Sequence, residues 1–163
     1  MKWRIFLLSS LFLVSAASSS SAAGLREDSQ LWEMWGNSQM FLATDFGLER
    51  FTFSPTKPGR GITRVASAEG SGQRPIDLDI LTGEDAVVLT TKTVDYYTFS
   101  RKGYRVGFVN KVELRKEFPI DLERANTNLV MVIYKTGVEM FGLNYGREIY
   151  SIDNGIAHSK AVD

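Results

Sequence analysis

The chain has 163 residues, with 19 basic and 19 acidic side chains, one histidine and no cysteine. That balance gives no electrostatic basis for binding nucleic acid or an anionic membrane. The missing thiols exclude a cysteine nucleophile, a thiolate metal site, a redox motif and a disulfide framework, so packing and sheet hydrogen bonds must supply the stability.

Residues 1–23 read as a secretory signal peptide: the positive start "MKWR", the apolar run Ile5 to Ala17, then small residues that permit cleavage after Ala17 or Ala23. The run is short for a bilayer span, and an uncleaved anchor is the alternative. No second hydrophobic segment follows, so the mature product is expected to be extracellular, without a membrane span. Loss of Lys2 and Arg4 leaves 17 basic against 19 acidic residues, a net charge of −2. No Asn-x-Ser/Thr sequon is present, since "NSQ" at Asn37 and "NTN" at Asn126 both fail the rule.

Residues 24–37 form a lead-in, with a loose polar start in "GLREDSQ" and Trp32 and Trp35 three apart. That spacing suits one helical turn or an irregular segment over the core, and a sugar-stacking role for the rings is the alternative. From residue 38 to 156 the chain reads as β. "QMFLAT" and "ERFTFS" are short apolar runs, "SPTKPGRG" is a turn or loop, "ITRVA" a short strand and "SAEGSGQRP" a flexible rim. In "IDLDIL", Ile76, Leu78 and Ile80 alternate with Asp77 and Asp79, the pattern of a strand with one solvated face. "AVVLTT", "VDYYTF", "YRVGFVN" and "KVELRKEF" follow, and "PIDLERANTN" is the one stretch that suits a helical turn. "LVMVIY" lacks polar alternation and so predicts a central strand covered on both faces. "VEMFGLN" and "YGREIYSI" close the domain, with Gly137 and Gly146 at turn positions that favour positive φ. Residues 157–163 form a polar tail. About ten short strands with turns every 8–12 residues predict an all-β, antiparallel β-sandwich of two layers.

The closing ribbon "NLVMVIYKTGVEMFGLNYGREIYSI" resembles the last strands of concanavalin-like jelly rolls, a group that includes galectins and laminin-G-type modules. The segments "IDLDILTGEDAVVLTT", "YYTF" and "YRVGFVN" are similar to the opening of the invertebrate farnesoic acid O-methyltransferase-type domain. The resemblance spans about half of the mature chain and implies a jelly-roll sandwich with lectin-like binding. The galectin "HxNPR" strand, its following tryptophan and "ExR" are absent, so no sugar-contacting residue carries over. No Gly-rich strand-to-helix loop suited to S-adenosylmethionine is present, so no methyl transfer is implied.

The residues themselves offer few catalytic groups. His158 lies five residues from the end, where side chains are usually solvated. Asp77, Asp79, Glu84 and Asp85 do not match an EF-hand loop, although Asp77 and Asp79 share a face about 7 Å apart; whether this set binds a metal is left open. No metal or cofactor is expected. Aromatic rings beside hydrogen-bonding groups suit sugar recognition, because rings stack on C–H faces while polar side chains meet hydroxyls. On that ground the candidate ligand-binding residues are Tyr97, Arg105 and Asn110 on one sheet face, Asn144, Tyr145 and Arg147 at a turn, and Trp32 and Trp35 near the N-terminus. The expected function is a secreted, non-enzymatic, carbohydrate-binding module with a glycan as partner. The alternatives are an extracellular protein-interaction or structural component (matrix, venom or secreted effector), and a hydrolase using Asp79 and Glu84.

Overall fold

The computed structural model describes residues 31–53, 62–81, 84–100, 102, 104–153 and 156–158, with Asp153 and residues 156–158 described for their backbone alone. These residues form an all-β, antiparallel fold built from three consecutive up-and-down meanders. The first holds β1 (Leu31–Trp35), β2 (Gln39–Thr44), β3 (Gly47–Thr52) and β4 (Thr63–Glu69). The second holds β5 (Pro75–Ile80), β6 (Asp85–Thr90), β7 (Thr93–Phe99) and β8 (Val106–Glu113). The third holds β9 (Asp121–Asn126), β10 (Leu129–Tyr134), β11 (Gly137–Asn144) and β12 (Glu148–Asp153), extended by the three-residue β13 (Ile156–His158). Hydrogen-bonded neighbours within each sheet are always sequence neighbours.

The second sheet lies between the other two, and its sequence explains why. Successive side chains of a strand point to opposite faces. In β6 and β7 both sets are apolar or internally bonded, and every residue from Asp85 to Thr90 is buried. Ala86, Val88, Tyr97 and Phe99 pack on Phe41, Ala43 and Leu48 of the first sheet. Val87, Leu89, Val94 and Tyr96 face the opposite way and pack on Leu122, Val130, Val132, Phe141, Leu143 and Ile149 of the third. Each such aliphatic or aromatic side chain stabilises the fold by about 1.5–3 kcal/mol on burial. The edges of the layers converge, β5 lying near β1 and β9, and β8 near β4 and β12. The sandwich therefore has three layers and two separate cores, rather than two layers and one.

Several expectations change accordingly. Strand β10 is covered on one face only, with Val130, Val132 and Tyr134 buried and Leu129, Met131 and Ile133 half-exposed; the doubly covered strands are β6 and β7. The stretch read as a helical turn is strand β9, because its backbone pairs along β10 from Ile133 to Leu129. Leu31–Trp35 is not a lead-in but a full edge strand paired with β2. The "SAEGSGQRP" rim is strand up to Glu69, and its continuation is tied down: the Ser71 amide donates to Asp95 (2.7 Å) and the Thr91 amide to the Arg74 carbonyl (3.0 Å). Gly70 fits there because a Cβ would lie 2.0 Å from the Tyr97 hydroxyl. Asp77 and Asp79 do alternate with Leu78 and Ile80, but their face meets the third sheet instead of water; the Leu122 amide of β9 donates to Asp77 (3.0 Å). Gly137 (φ 143°) and Gly146 (φ 71°) sit at positive φ, as expected. The signal peptide, the cleavage sites and most of the polar tail lie outside the described residues.

Candidate functional site

Strands β6, β7 and β8 run antiparallel, so the start of β6, the end of β7 and the start of β8 share one end of the middle sheet. Register places Asp85 opposite Thr98, and Thr98 opposite Gly107. The turn between β11 and β12 reaches over the same end from the third sheet. A cleft of about 590 Å³ opens between them, lined by Glu84, Asp85, Thr98, Phe99, Ser100, Arg105, Val106, Gly107, Tyr145 and Gly146. That volume lies within the range of small-ligand sites, which runs from about 300 to 1,000 Å³.

Both walls are held by buried polar contacts. Tyr96, fully buried in the middle sheet, donates its hydroxyl proton to Asp85 at 2.6 Å and accepts from the Gly146 amide at 2.7 Å. This chain fixes the third-sheet turn on the middle sheet. Burial pushes the Asp85 carboxyl above its usual range, against the bonds from Tyr96 and Gly146, and the nearby Glu84 charge adds to the rise. Burial, and then the bond to Asp85, hold the Tyr96 phenol well above its usual value, so it stays a neutral donor. The turn is braced a second time by the Tyr145 hydroxyl, which donates to the Thr127 carbonyl.

The opposite side of the cleft rests on Arg50. This residue of β3 is fully buried. Its guanidinium bonds the Gln39 side-chain carbonyl and donates to the Ser100 carbonyl at 2.5 Å. It lies 5.3–5.7 Å from the ring centres of Trp35, Phe41, Phe99 and Tyr104. Aromatic faces attract a cation electrostatically, which offsets part of its lost hydration. Desolvation lowers its pKa, opposed by Tyr104 and Glu84, yet a guanidinium remains charged at any ordinary pH. Arg50 thereby pins the end of β7, where Phe99 and Ser100 meet the cleft. The neighbouring Tyr104 adopts φ 49°, an uncommon conformation for a non-glycine residue.

Of the eight residues expected from sequence, Arg105 and Tyr145 line the cleft. Asn144 and Arg147 are exposed on the same turn, closed by the Arg147 amide on the Asn144 carbonyl (2.9 Å), but lie outside the cleft lining. Three others serve the fold. Tyr97 is fully buried between the first two sheets. Trp35 is half-buried, edge-on to Phe41 and Phe99. Asn110 bonds both the amide and the carbonyl of Ile149 (2.9 Å each), joining β8 to β12 like one rung of a sheet. Trp32 is 61% exposed on the outer face of the first sheet, paired across the strands with Leu42.

The acidic set is divided. Glu84 and Asp85 border the cleft, whereas Asp77 and Asp79 are outside its lining, so Asp79 and Glu84 do not share it. Among the described residues, no group of three or more Asp, Glu or His is placed to hold a metal ion. Thr98, Ser100 and Gly107 carry no signal in the sequence. They reach the site because the register of three strands brings them there. His158 falls on β13, whose side chains are outside the described set. No protein-family model matches this chain, and neither the curated proteins nor the solved structures contain a match to it.

Proposed function

We propose that this chain is a secreted, non-enzymatic binding module that takes a carbohydrate in the cleft at the end of the middle sheet. The observation that carries this reading is the convergence of Glu84, Asp85 and Arg105 with the ring of Tyr145 and the hydroxyls of Thr98 and Ser100 around one opening of about 590 Å³. Carboxylate and guanidinium groups bond sugar hydroxyls as acceptor and donor, while aromatic rings cover their C–H faces. Rigid walls favour affinity, since little side-chain freedom remains to be lost on binding. The leader at residues 1–23 supports export.

The test is a glycan array followed by calorimetry on the best binder. Arg105→Ala and Glu84→Gln should each weaken binding about tenfold, the loss of one hydrogen bond to a charged group. Asn144→Ala, outside the cleft, should leave it unchanged. An array without any binder, or affinity indifferent to Arg105 and Glu84, refutes the assignment.

A further inference from the structure

We propose that the outer face of the first sheet is a second carbohydrate site, a platform that takes a ribbon of β-linked pyranoses with Trp32 stacked on a sugar ring. This rests on the reading of the chain as a carbohydrate-binding module and gives that module a surface apart from the cleft. The alternation of side chains along each strand sorts the sheet into two sides. Leu31 and Trp35 of β1, Phe41 and Ala43 of β2 and Leu48 of β3 turn inward, to the core shared with the middle sheet. Glu33 and Arg50 point the same way, the first accepting from the Ile80 amide of β5 (2.7 Å), the second donating to the Ser100 carbonyl. The residues between them, Trp32, Met34, Met40, Leu42, Glu49 and Phe51, are left on the outside.

Register sets these in two adjoining cross-strand rows. Trp32, Leu42, Glu49 and Ser67 form one, and Met34, Met40, Phe51 and Arg64 form the other. The apolar members adjoin one another across β1, β2 and β3, while Glu49, Arg64 and Ser67 border them toward β4. The next row holds Thr44, Gly47 and Glu69, with Glu69 on β4, the far strand from Trp32. Trp32 and Met34 are exposed, and Leu42 is 5% exposed between Trp32 and Glu49. Scattered apolar residues on a surface are ordinary, whereas a contiguous patch with a polar rim marks a contact site.

Size and polarity decide the occupant. The two rows lie about 7 Å apart and the three strands span about 10 Å, so the apolar field covers on the order of 200 Å² with the reach of its side chains. A specific protein partner needs about 800 Å² on each side. Extending the contact that far would bury the Glu49–Arg64 ion pair (2.9 Å). A lipid surface would dehydrate the same pair, which shares the rows of Trp32 and Phe51. A pyranose ribbon fits both parts of the face. β-Linked pyranoses with equatorial hydroxyls present flat C–H faces, which pack on aromatic rings, and carry their hydroxyls along the edges. Arg64 donates and Glu49 accepts, so the pair matches a hydroxyl, which does both. An exposed ion pair contributes little to stability, so it can open to a ligand at little cost. Trp32 and Phe51 stand two strands and one row apart, about 12 Å by the sheet spacings, so a chain of sugars spans them and a single ring does not.

Pull-down on insoluble cellulose and on insoluble chitin tests this, with the full-length chain expressed through a secretory host. The native protein should be retained on at least one of the two. Trp32→Ala should lower affinity for that polymer about tenfold, the loss of one stacked ring, and Arg64→Ala should lower it by a smaller factor. Trp32→Tyr should keep most of it, because a flat ring remains. Arg105→Ala and Glu84→Gln, in the cleft, should leave retention unchanged. Circular dichroism confirms that each variant folds; should Trp32→Ala fail to fold, Arg64→Ala gives the same reading. No retention on either polymer, or retention indifferent to Trp32→Ala and Arg64→Ala, overturns the proposal. Glycan binding that falls with Arg105→Ala and Glu84→Gln but not with Trp32→Ala removes this site and leaves the cleft reading standing. Retention that falls with Trp32→Ala alone upholds the platform, whatever the array reports for the cleft.

Discussion

Asp77 joins two layers through an arrangement that depends on pH. It sits on β5, accepts from the Leu78 amide (2.9 Å) and the Leu122 amide of β9 (3.0 Å), and shares a carboxyl–carboxylate contact with Asp121. Burial, then the Asp121 contact, push its pKa from an ordinary 3.8 up to about 6, against the two amides. The folded state therefore holds more protons than the unfolded chain between those two values, and stability must fall as pH rises through that interval. Below about 4 the contribution is fully present; above about 6 it is gone. Two units correspond to about 3 kcal/mol in a fully buried site. Asp77 retains some contact with water, which screens the interaction, so about 1–1.5 kcal/mol is the expected effect. Urea unfolding at half-unit steps from pH 4 to 8 measures it directly. Asp77→Asn keeps an acceptor for one amide and offers a donor to Asp121, so it should flatten the slope and match or exceed the native stability at pH 7. A native protein whose midpoint is constant or rises between pH 4 and 6, in parallel with Asp77→Asn, would refute the reasoning.

The other predictions concern the supports of the cleft and of the layers. Arg50→Ala should cost about 3–5 kcal/mol, because it leaves the Gln39 and Ser100 carbonyls unbonded and empties the space among four rings; urea unfolding reads it, and Trp35 emission should shift. Gly70→Ala should destabilise by about 3 kcal/mol, since its Cβ meets the fixed Tyr97 hydroxyl and, at 2.9 Å, the Asp95 carboxylate; a loss below about 0.5 kcal/mol would mean that this contact relaxes freely. Asn110→Ala should cost about 1–3 kcal/mol and accelerate hydrogen exchange at the Ile149 amide specifically. Tyr96→Phe keeps the packing of the ring but removes the link between Asp85 and Gly146, so exchange at the Gly146 amide should rise.

Strand content was legible in the residues because it is written in local periodicity. The alternation of Leu78 and Ile80 with Asp77 and Asp79 and the turn glycines Gly137 and Gly146 are short-range signals that the structure keeps, whereas Ile76, expected on the face of Leu78, packs on the other core beside a bulge. The opposite orientations of Tyr96 and Tyr97 follow from the same period of two. One of the three residues of the expected turn cluster could be read as well: Tyr145 lines the cleft, while Asn144 and Arg147 stay outside its lining.

The layer count and most of the cleft depended on tertiary structure. An unbroken apolar run such as "LVMVIY" and a mixed one such as "VDYYTF" do not declare which is covered twice. That depends on whether a neighbouring sheet arrives, and on Asp95 finding the Ser71 amide and the Thr93 hydroxyl so that it tolerates burial. The fates of Tyr97, Trp35 and Asn110 follow the same logic. Each is chemically fit to hold a sugar, and each is engaged instead by partners on other strands: Phe108 for Tyr97, Phe99 and Arg50 for Trp35, and the backbone of Ile149 for Asn110. A single chain specifies its strands residue by residue, but it specifies a site only through contacts between segments that the sequence holds far apart.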